Sequence, residues 1–160
     1  MTVQKRFISL LVENNAGVLS RIAGLFTRRG YNIESLTVGE TQNPRISRMT
    51  IVMTCDSSTF EQIKKQLNKL IEVIKITELK SDNALMRELI LIKLKTSEQD
   101  RSKLIEISNI FRAKIIDVTT YTMTIELTGD EIKISGFLEM MRPFNIAELI
   151  RTGFCGIERG

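Results

Sequence analysis

The order in which strand-like and helix-like apolar patterns follow one another most constrains the fold of this 160-residue chain. An almost continuous apolar run at residues 7–12 predicts a buried strand, and apolar residues spaced by three or four at residues 18–26 predict an amphipathic helix. Two strands, a second helix and a fourth strand are then predicted at residues 33–38, 49–54, 58–70 and 73–79. The resulting β-α-β-β-α-β order is that of a ferredoxin-like domain.

The second half of the chain repeats this order with different residues. The predicted elements are a strand, a helix, two strands, a helix and a final extended stretch, at residues 89–94, 100–112, 114–119, 122–127, 130–141 and 146–157. We therefore predict an α/β (α+β) chain of two ferredoxin-like βαββαβ domains in tandem, at residues 1–80 and 81–160. Each half is short for an independent core, so we expect dimerisation through sheet edges.

Local signals mark several of the predicted helix ends. Gly17 opens the first helix, and Gly30 is suited to the left-handed conformation that ends it. Ser58 and Glu61 have the spacing of a capping box, and Asp130 is suited to cap the last helix.

The composition argues against several classes of function. The chain has no histidine, which removes the commonest general base near neutral pH and the commonest zinc ligand. Its net charge of +4 is spread along the sequence, whereas nucleic-acid binders usually cluster basic residues on one face. No apolar run approaches the roughly 20 residues that cross a bilayer. The composition therefore predicts that the chain binds neither a metal ion, nor a nucleic acid, nor a membrane.

Two cysteines, Cys55 and Cys155, lie far apart and outside any CxxC motif. We expect reduced thiols, as in a cytoplasmic protein or, if the gene is plastid-encoded, a stromal one. The first residues lack the apolar core of a signal peptide, so we expect a mature soluble protein.

The loop between the first strand and the first helix has the residues of a receptor for a small zwitterion. The first-turn N–H groups of a helix lack intrahelical partners, and the helix dipole leaves that end partly positive, so a carboxylate fits there. The side-chain oxygens of Asn14 and Asn32 are suited to accept from an ammonium group. An alternative is that Gly17 only permits the turn and Asn14 only caps the helix.

The same region resembles the regulatory (small) subunit of acetohydroxyacid synthase, also called acetolactate synthase. The resemblance is carried by GVLSRIAGLFTRRGYNIESLTVG at residues 17–39 and SRMTIV at residues 47–52. It continues, more loosely, through residues 61–63, 65–67, 69–71, 87–89, 111–113, 116–118, 143–144 and 151–153. It implies that residues 1–80 form an ACT domain for amino-acid sensing and dimerisation, and that residues 81–160 form the C-terminal domain of such a subunit.

The resemblance also implies a binding site for the feedback amino acid, usually valine, at a dimer interface. Carried over by position, one chain supplies Asn14, Ala16, Gly17, Val18 and Leu19, and the partner chain supplies Asn32 and Ile33.

The resemblance implies a function without catalytic residues in this chain. The protein is expected to bind a larger catalytic subunit that uses thiamine diphosphate, Mg²⁺ and FAD in valine, leucine and isoleucine synthesis. It is expected to activate that subunit and to confer feedback inhibition, with no cofactor of its own. The alternatives are a ligand-responsive transcription regulator of the ACT type, for which we find no DNA-reading element, and a stand-alone enzyme.

Overall fold

The computed structural model describes residues 2–160, which form two compact units. One unit holds the chain up to Leu85 together with Phe154–Gly160, and the other holds Met86–Gly153. The elements are, in order, β1 (Gln4–Glu13), α1 (Val18–Arg28), β2 (Ser35–Glu40), β3 (Ile46–Cys55), α2 (Ser57–Asn68), β4 (Val73–Leu79), β5 (Ala84–Lys95), α3 (Glu98–Phe111), β6 (Lys114–Val118), β7 (Thr122–Gly129), α4 (Glu131–Met141), β8 (Asn145–Arg151) and β9 (Cys155–Glu158).

The two predicted ferredoxin-like repeats are confirmed. The first sheet has the antiparallel order β2-β3-β1-β4, and the second has the order β6-β7-β5-β8 with β9 paired to β5. The assignment of residues 1–80 and 81–160 to two functional domains stays a prediction. Within residues 2–160, no helix combines the length and the apolar character that crossing a membrane requires.

The core of the first unit lies between its sheet and its two helices. Because side chains alternate along a strand, Ile8 and Leu10 of β1 face the same side as their partners Ile51 and Met49 of β3. These side chains are fully buried against apolar residues of both helices, which include Ile22 and Phe26 of α1 and Phe60 and Ile63 of α2.

The opposite face of this sheet is covered by Phe154–Gly160, which we call the C-terminal segment. Phe154 is 4% exposed and packs edge-on against Phe7, with ring centroids 6.0 Å apart. Its backbone N–H donates to Ser35 Oγ at 3.2 Å and its carbonyl accepts from Thr37 Oγ1 at 3.2 Å. The N–H of Gly156 donates to Thr50 Oγ1 at 3.3 Å. Side-chain hydroxyls on the sheet thus bind the backbone of a segment more than a hundred residues away.

The core of the second unit has the same arrangement. Ile90, Ile92 and Leu94 of β5 pair with Leu127, Ile125 and Met123 of β7, and all six are buried. They pack against Leu104 of α3 and against Ile134, Phe137 and Met141 of α4. An edge-to-face contact between Phe111 and Phe137 joins the two helices, with ring centroids 5.4 Å apart.

Within residues 2–160, three helices begin with a side-chain cap, and one of these caps differs from the prediction. Asp130 caps α4 as predicted, since its carboxylate accepts from the N–H of Lys133. The predicted capping box of Ser58 and Glu61 was wrong: α2 is capped by Asp56, whose Oδ1 accepts from the N–H of Thr59 at 2.7 Å. The cap lies two residues earlier than the spacing indicated, so Ser58 lies inside the helix.

This cap predicts a specific pH dependence of stability. The hydrogen bond from Thr59 lowers the pKa of Asp56 below its ordinary value. A lowered pKa in the folded state means that the stabilisation is present above the unfolded pKa, about 3.9, and is lost as pH falls through the folded value. We expect Asp56→Asn, which keeps an acceptor, to flatten the acid limb of the stability curve. Urea titrations between pH 2 and 7 measure this, and an unchanged acid limb would contradict it.

Candidate functional site

The loop of residues 14–17 joins β1 to α1 and is held against the turn between β2 and β3. The backbone N–H of Asn14 donates to the carbonyl of Arg45 at 2.8 Å. The side-chain nitrogen of Asn14 donates to the carbonyl of Pro44 at 2.8 Å and to Glu40 Oε1 at 3.2 Å. Among the described residues, the side-chain oxygen of Asn14 has no hydrogen-bond partner. Asn14 is thus fixed in place with an acceptor left available.

Helix α1 begins without a side-chain cap. Gly17 occupies the N-cap position in the left-handed conformation, with φ of 86°, and no described side chain accepts a hydrogen bond from the first turn. Within the part of the chain that the structure describes, the backbone N–H groups of Leu19 and Ser20 have no protein acceptor. The alternative in which Asn14 caps this helix is therefore wrong. The open first turn can receive an anion.

The charges around this turn favour a carboxylate there. The first turn of α1 carries no acidic residue, and Arg21 follows directly and pairs with Glu72. Two nearby carboxylates are bound within the loop region, Glu40 by Asn14 and Glu13 by the side chain of Asn15 at 3.1 Å. Because Glu72 neutralises Arg21, the partial positive charge at the start of α1 comes from the helix dipole, whereas a hydrogen-bond acceptor lies on the Asn14 side.

The predicted site residues of this loop differ in whether their side chains are exposed. Ala16 and Gly17 are exposed, and Leu19 is 46% exposed. The side chain of Val18 is buried in the core, at 6% exposure, so only its backbone remains for a ligand. Leu19 is consequently the apolar side chain of this turn that a ligand can touch.

Asn32 and Ile33 lie away from this loop within the same chain. They belong to the connection between α1 and β2, because β2 begins at Ser35 and not at residue 33 as predicted. Asn32 is exposed, and Ile33 packs against the core. The 11 residues of α1 span about 16 Å at 1.5 Å per residue, so the two ends of the helix cannot enclose one small molecule. The structure therefore gathers Asn14 to Leu19 but not Asn32 and Ile33.

An open sheet edge lies next to Asn32 and Ile33. Strand β2 pairs with β3 on one side and is the terminal strand of its sheet. Glu40 and Glu72, which hold Asn14 and Arg21, were not among the predicted site residues. Their signal in the sequence is an acidic residue at the end of β2 and another just before β4. The described residues contain no group of three or more His, Cys, Asp or Glu side chains suited to a metal ion.

The fold and this loop define the class of the protein: a tandem of two ferredoxin-like units whose first unit is an ACT domain. The model of the AHAS small subunit-like ACT domain matches residues 8–75, and the model described as the small subunit of acetolactate synthase matches residues 87–160. The chain belongs to the family of acetolactate synthase small subunits, which are regulatory subunits of that enzyme.

Curated relatives and a solved structure agree with this assignment. The chain is 51% identical to the probable acetolactate synthase small subunit of Methanothermobacter thermautotrophicus, over 100% of this chain and 96% of the relative. It is 48% identical to the acetolactate synthase small subunit of Mycolicibacterium smegmatis, over 96% and 90%. It superposes on the crystal structure of the small subunit from Thermotoga maritima with a TM-score of 0.89 and 39% identity, over 98% of each chain. Family membership favours a regulatory subunit over the two alternatives, a transcription regulator and a stand-alone enzyme.

Proposed function

We propose that this chain senses valine at a site shared between two copies, and that this sensing lowers the activity of the catalytic subunit of acetolactate synthase. One observation carries the proposal: the start of α1 presents uncapped backbone N–H groups beside an asparagine whose side-chain oxygen has no partner among residues 2–160. That combination suits the carboxylate and the ammonium group of an α-amino acid.

Each part of an amino acid has a partner in the proposed site. The carboxylate would accept from the N–H groups of Leu19 and Ser20, at the partly positive end of the helix dipole. The ammonium would donate to Asn14, and the side chain would contact Leu19 and Ala16. A single methylene is worth only about 1–3 kcal/mol in an apolar pocket, so we expect modest discrimination among valine, leucine and isoleucine.

A second copy of the chain is needed to close the site. Asn32 and Ile33 lie at the far end of α1 in their own chain, about 16 Å from Gly17 by helix length. Pairing of two β2 edges would continue the sheet across a twofold axis and bring Asn32 and Ile33 of one copy toward the loop of the other. This supports a homodimer in which each site uses both chains.

Regulation requires that valine bind two arrangements of the dimer unequally. A ligand held between two copies favours the arrangement in which the loop and the β2 connection approach each other. A coupling of about 1–3 kcal/mol corresponds to a roughly 5–150-fold change in affinity. The thiamine diphosphate, Mg²⁺ and FAD of the reaction belong to the catalytic subunit in this proposal, and this chain supplies regulation alone.

The direct test is reconstitution with the catalytic subunit. We expect the purified chain to raise acetolactate formation by that subunit, and valine to reverse part of the increase. Calorimetry on the chain alone should show saturable valine binding, with light scattering reporting a dimer. An increase in activity that valine does not affect, together with no heat of valine binding in the complex, would contradict the sensing proposal but not the family assignment.

A further inference from the structure

A polar cavity lies in the first unit, on the face of the sheet that the C-terminal segment covers. Its volume is about 100 Å³, and its polar lining consists of Ser9, Arg48, Lys75, Thr77 and Glu158. None of these residues belongs to the β1–α1 loop. The cavity is therefore separate from the proposed valine site, which lies at the start of α1.

The register of the sheet explains why two cationic side chains line this cavity. Leu11 of β1 pairs with Arg48 of β3 on one side and with Lys75 of β4 on the other. Directly paired residues point to the same face, and neighbouring strands are about 4.8 Å apart. Arg48 and Lys75 are therefore rooted roughly 10 Å apart, two strand spacings, on opposite sides of Leu11. A small anion can contact both cations from that gap.

The hydroxyl groups of the cavity follow the same register. Ser9 pairs with Thr77 of β4 and is only 2% exposed. Arg48 Nη1 donates to Ser9 Oγ at 2.8 Å, which holds the guanidinium over the cavity and leaves other N–H groups to donate. A buried hydroxyl and an oriented guanidinium give this cavity a fixed polar floor.

Neither cation is neutralised by a carboxylate in the described part of the chain. Arg6 pairs with Glu78 and Arg21 with Glu72, whereas no ion pair joins Arg48 or Lys75 to an acidic residue within residues 2–160. Glu158 of β9 lines the same cavity without such a pair. The lining therefore carries two positive charges and one negative charge, which favours a bound anion or zwitterion.

The remaining lining is apolar and limits the size of the ligand. Leu11, Leu79 and Ile157 complete the wall. A water molecule takes about 30 Å³ in the liquid, so the cavity of about 100 Å³ holds a molecule of only a few heavy atoms. Inorganic phosphate would leave the apolar wall unused, whereas a short carboxylic acid uses both the cations and the apolar wall.

We propose that this cavity binds a small carboxylic acid, with its carboxylate between Arg48 and Lys75 and its short apolar end against Leu79 and Ile157. Glu158 is placed to accept from an amino group if the acid is an α-amino acid. Because Ile157 and Glu158 belong to β9, the ligand contacts both the sheet and the segment that covers it. Occupancy therefore stabilises the C-terminal segment on the sheet.

The test uses the full chain and three probes: propionate, alanine and inorganic phosphate. We expect NMR titrations with propionate to saturate and to shift the amides of Ser9, Thr77 and Ile157. Lys75 is exposed on an edge strand, and Lys75→Gln removes one charged contact with the ligand. We expect this variant to bind propionate roughly tenfold more weakly. The matched control is Lys65→Gln, an exposed lysine on α2, which should bind propionate as the unmodified chain does.

The other variants distinguish the sources of the ligand and separate this site from the valine site. If Glu158→Gln weakens the binding of alanine but not of propionate, the ligand is an amino acid. If the variant affects the binding of both probes equally, the ligand is a simple carboxylic acid. Gly17→Asp should leave propionate binding intact, since it alters the other site. The proposal is overturned if the three amides do not shift with propionate or alanine, if phosphate binds as well as propionate, or if Lys75→Gln changes nothing.

Discussion

A chain carrying Gly17→Asp should fold normally and lose its response to valine. Gly17 has φ of 86°, and a Cβ built there meets no atom within 4 Å. Aspartate enters the left-handed region more readily than most residues, and a negative charge at a helix start stabilises by about 0.3–1 kcal/mol. These effects offset the backbone strain, so we expect little change in the free energy of unfolding.

The loss of valine binding should be large because the new carboxylate takes the place of the ligand's own. It would lie beside the N–H groups of Leu19 and Ser20, which have no acceptor among the described residues. Like charges that meet in a binding interface cost several kcal/mol, so we expect affinity to fall by at least about 100-fold. Calorimetry on the chain, and inhibition curves of the holoenzyme, measure this fall.

Two further variants separate charge from backbone strain. Gly17→Asn has nearly the shape of Gly17→Asp without its charge and should retain much more of the valine affinity. Gly17→Ala tests the cost of a positive φ alone. An inhibition curve for Gly17→Asp that matches the unmodified chain would refute the proposed site.

Mixed dimers test whether two chains share the site. In a dimer of one Gly17→Asp chain and one Asn32→Ala chain, one of the two sites combines an unmodified Gly17 with an unmodified Asn32. We therefore expect mixing two unresponsive variants to restore valine inhibition in part. No recovery in verified mixed dimers would mean that Gly17 and Asn32 act within the same chain.

Most of the fold could be predicted because each element is encoded by its own residues. The helical spacing of Ile22 and Phe26, the glycines at both ends of α1 and the cap at Asp130 are local signals, and the structure confirms them. Element ends were less certain. Ser58 and Glu61 have the spacing of a capping box, but Asp56 lies two residues earlier and caps the helix first.

The covering of the first sheet could be predicted only in part. The apolar run at residues 7–12 correctly indicates a strand buried on both faces, since Phe7 and Ser9 are buried as well as Ile8 and Leu10. The segment that buries the outer face is distant in sequence, and its backbone is held by hydroxyls of Ser35, Thr37 and Thr50. No local period encodes such a contact, so these last residues were predicted to belong to the second domain.

The candidate site also has features that could be predicted from local sequence and features that could not. The loop and its glycine are visible in the sequence because only certain residues open a helix in this way. The burial of Val18 and the hydrogen bonds from Asn14 to Pro44 and Glu40 depend on packing against other elements. The separation of Asn32 from Gly17 follows from the length of α1, and it is the structural reason to expect a second chain.

Arg151→Met should strongly destabilise the second unit, because Arg151 is the cationic partner of a buried carboxylate. Glu88 is 3% exposed and accepts from Arg151 Nε at 3.0 Å and Nη2 at 2.6 Å. Its other oxygen accepts from the backbone N–H of Gly153 at 3.0 Å. Removing the arginine leaves a buried carboxylate without its cation, which typically costs 3–5 kcal/mol. Since the Arg151 side chain is 44% exposed, we expect about 3 kcal/mol.

The matched control lies on the same two strands. Lys93 of β5 and Glu148 of β8 form an ion pair at 3.3 Å, and both side chains are about half exposed, at 45% and 58%. Exposed pairs contribute about 0–1 kcal/mol, so Lys93→Met should change the free energy of unfolding by no more than that. Urea denaturation of both variants, with hydrogen exchange at β5 and β8 amides, compares the two costs within one sheet.

A double variant identifies the cause of the loss. Glu88→Gln removes the buried charge but keeps an acceptor for the N–H of Gly153, so Glu88→Gln combined with Arg151→Met should be more stable than Arg151→Met alone. Glu88 also holds the turn that leads directly into Phe154, and Arg151→Met should therefore raise exchange at the Gly156 N–H. If Arg151→Met costs no more than Lys93→Met, Glu88 remains satisfied without its arginine, and Gly153 then supplies the contact on which the buried carboxylate depends.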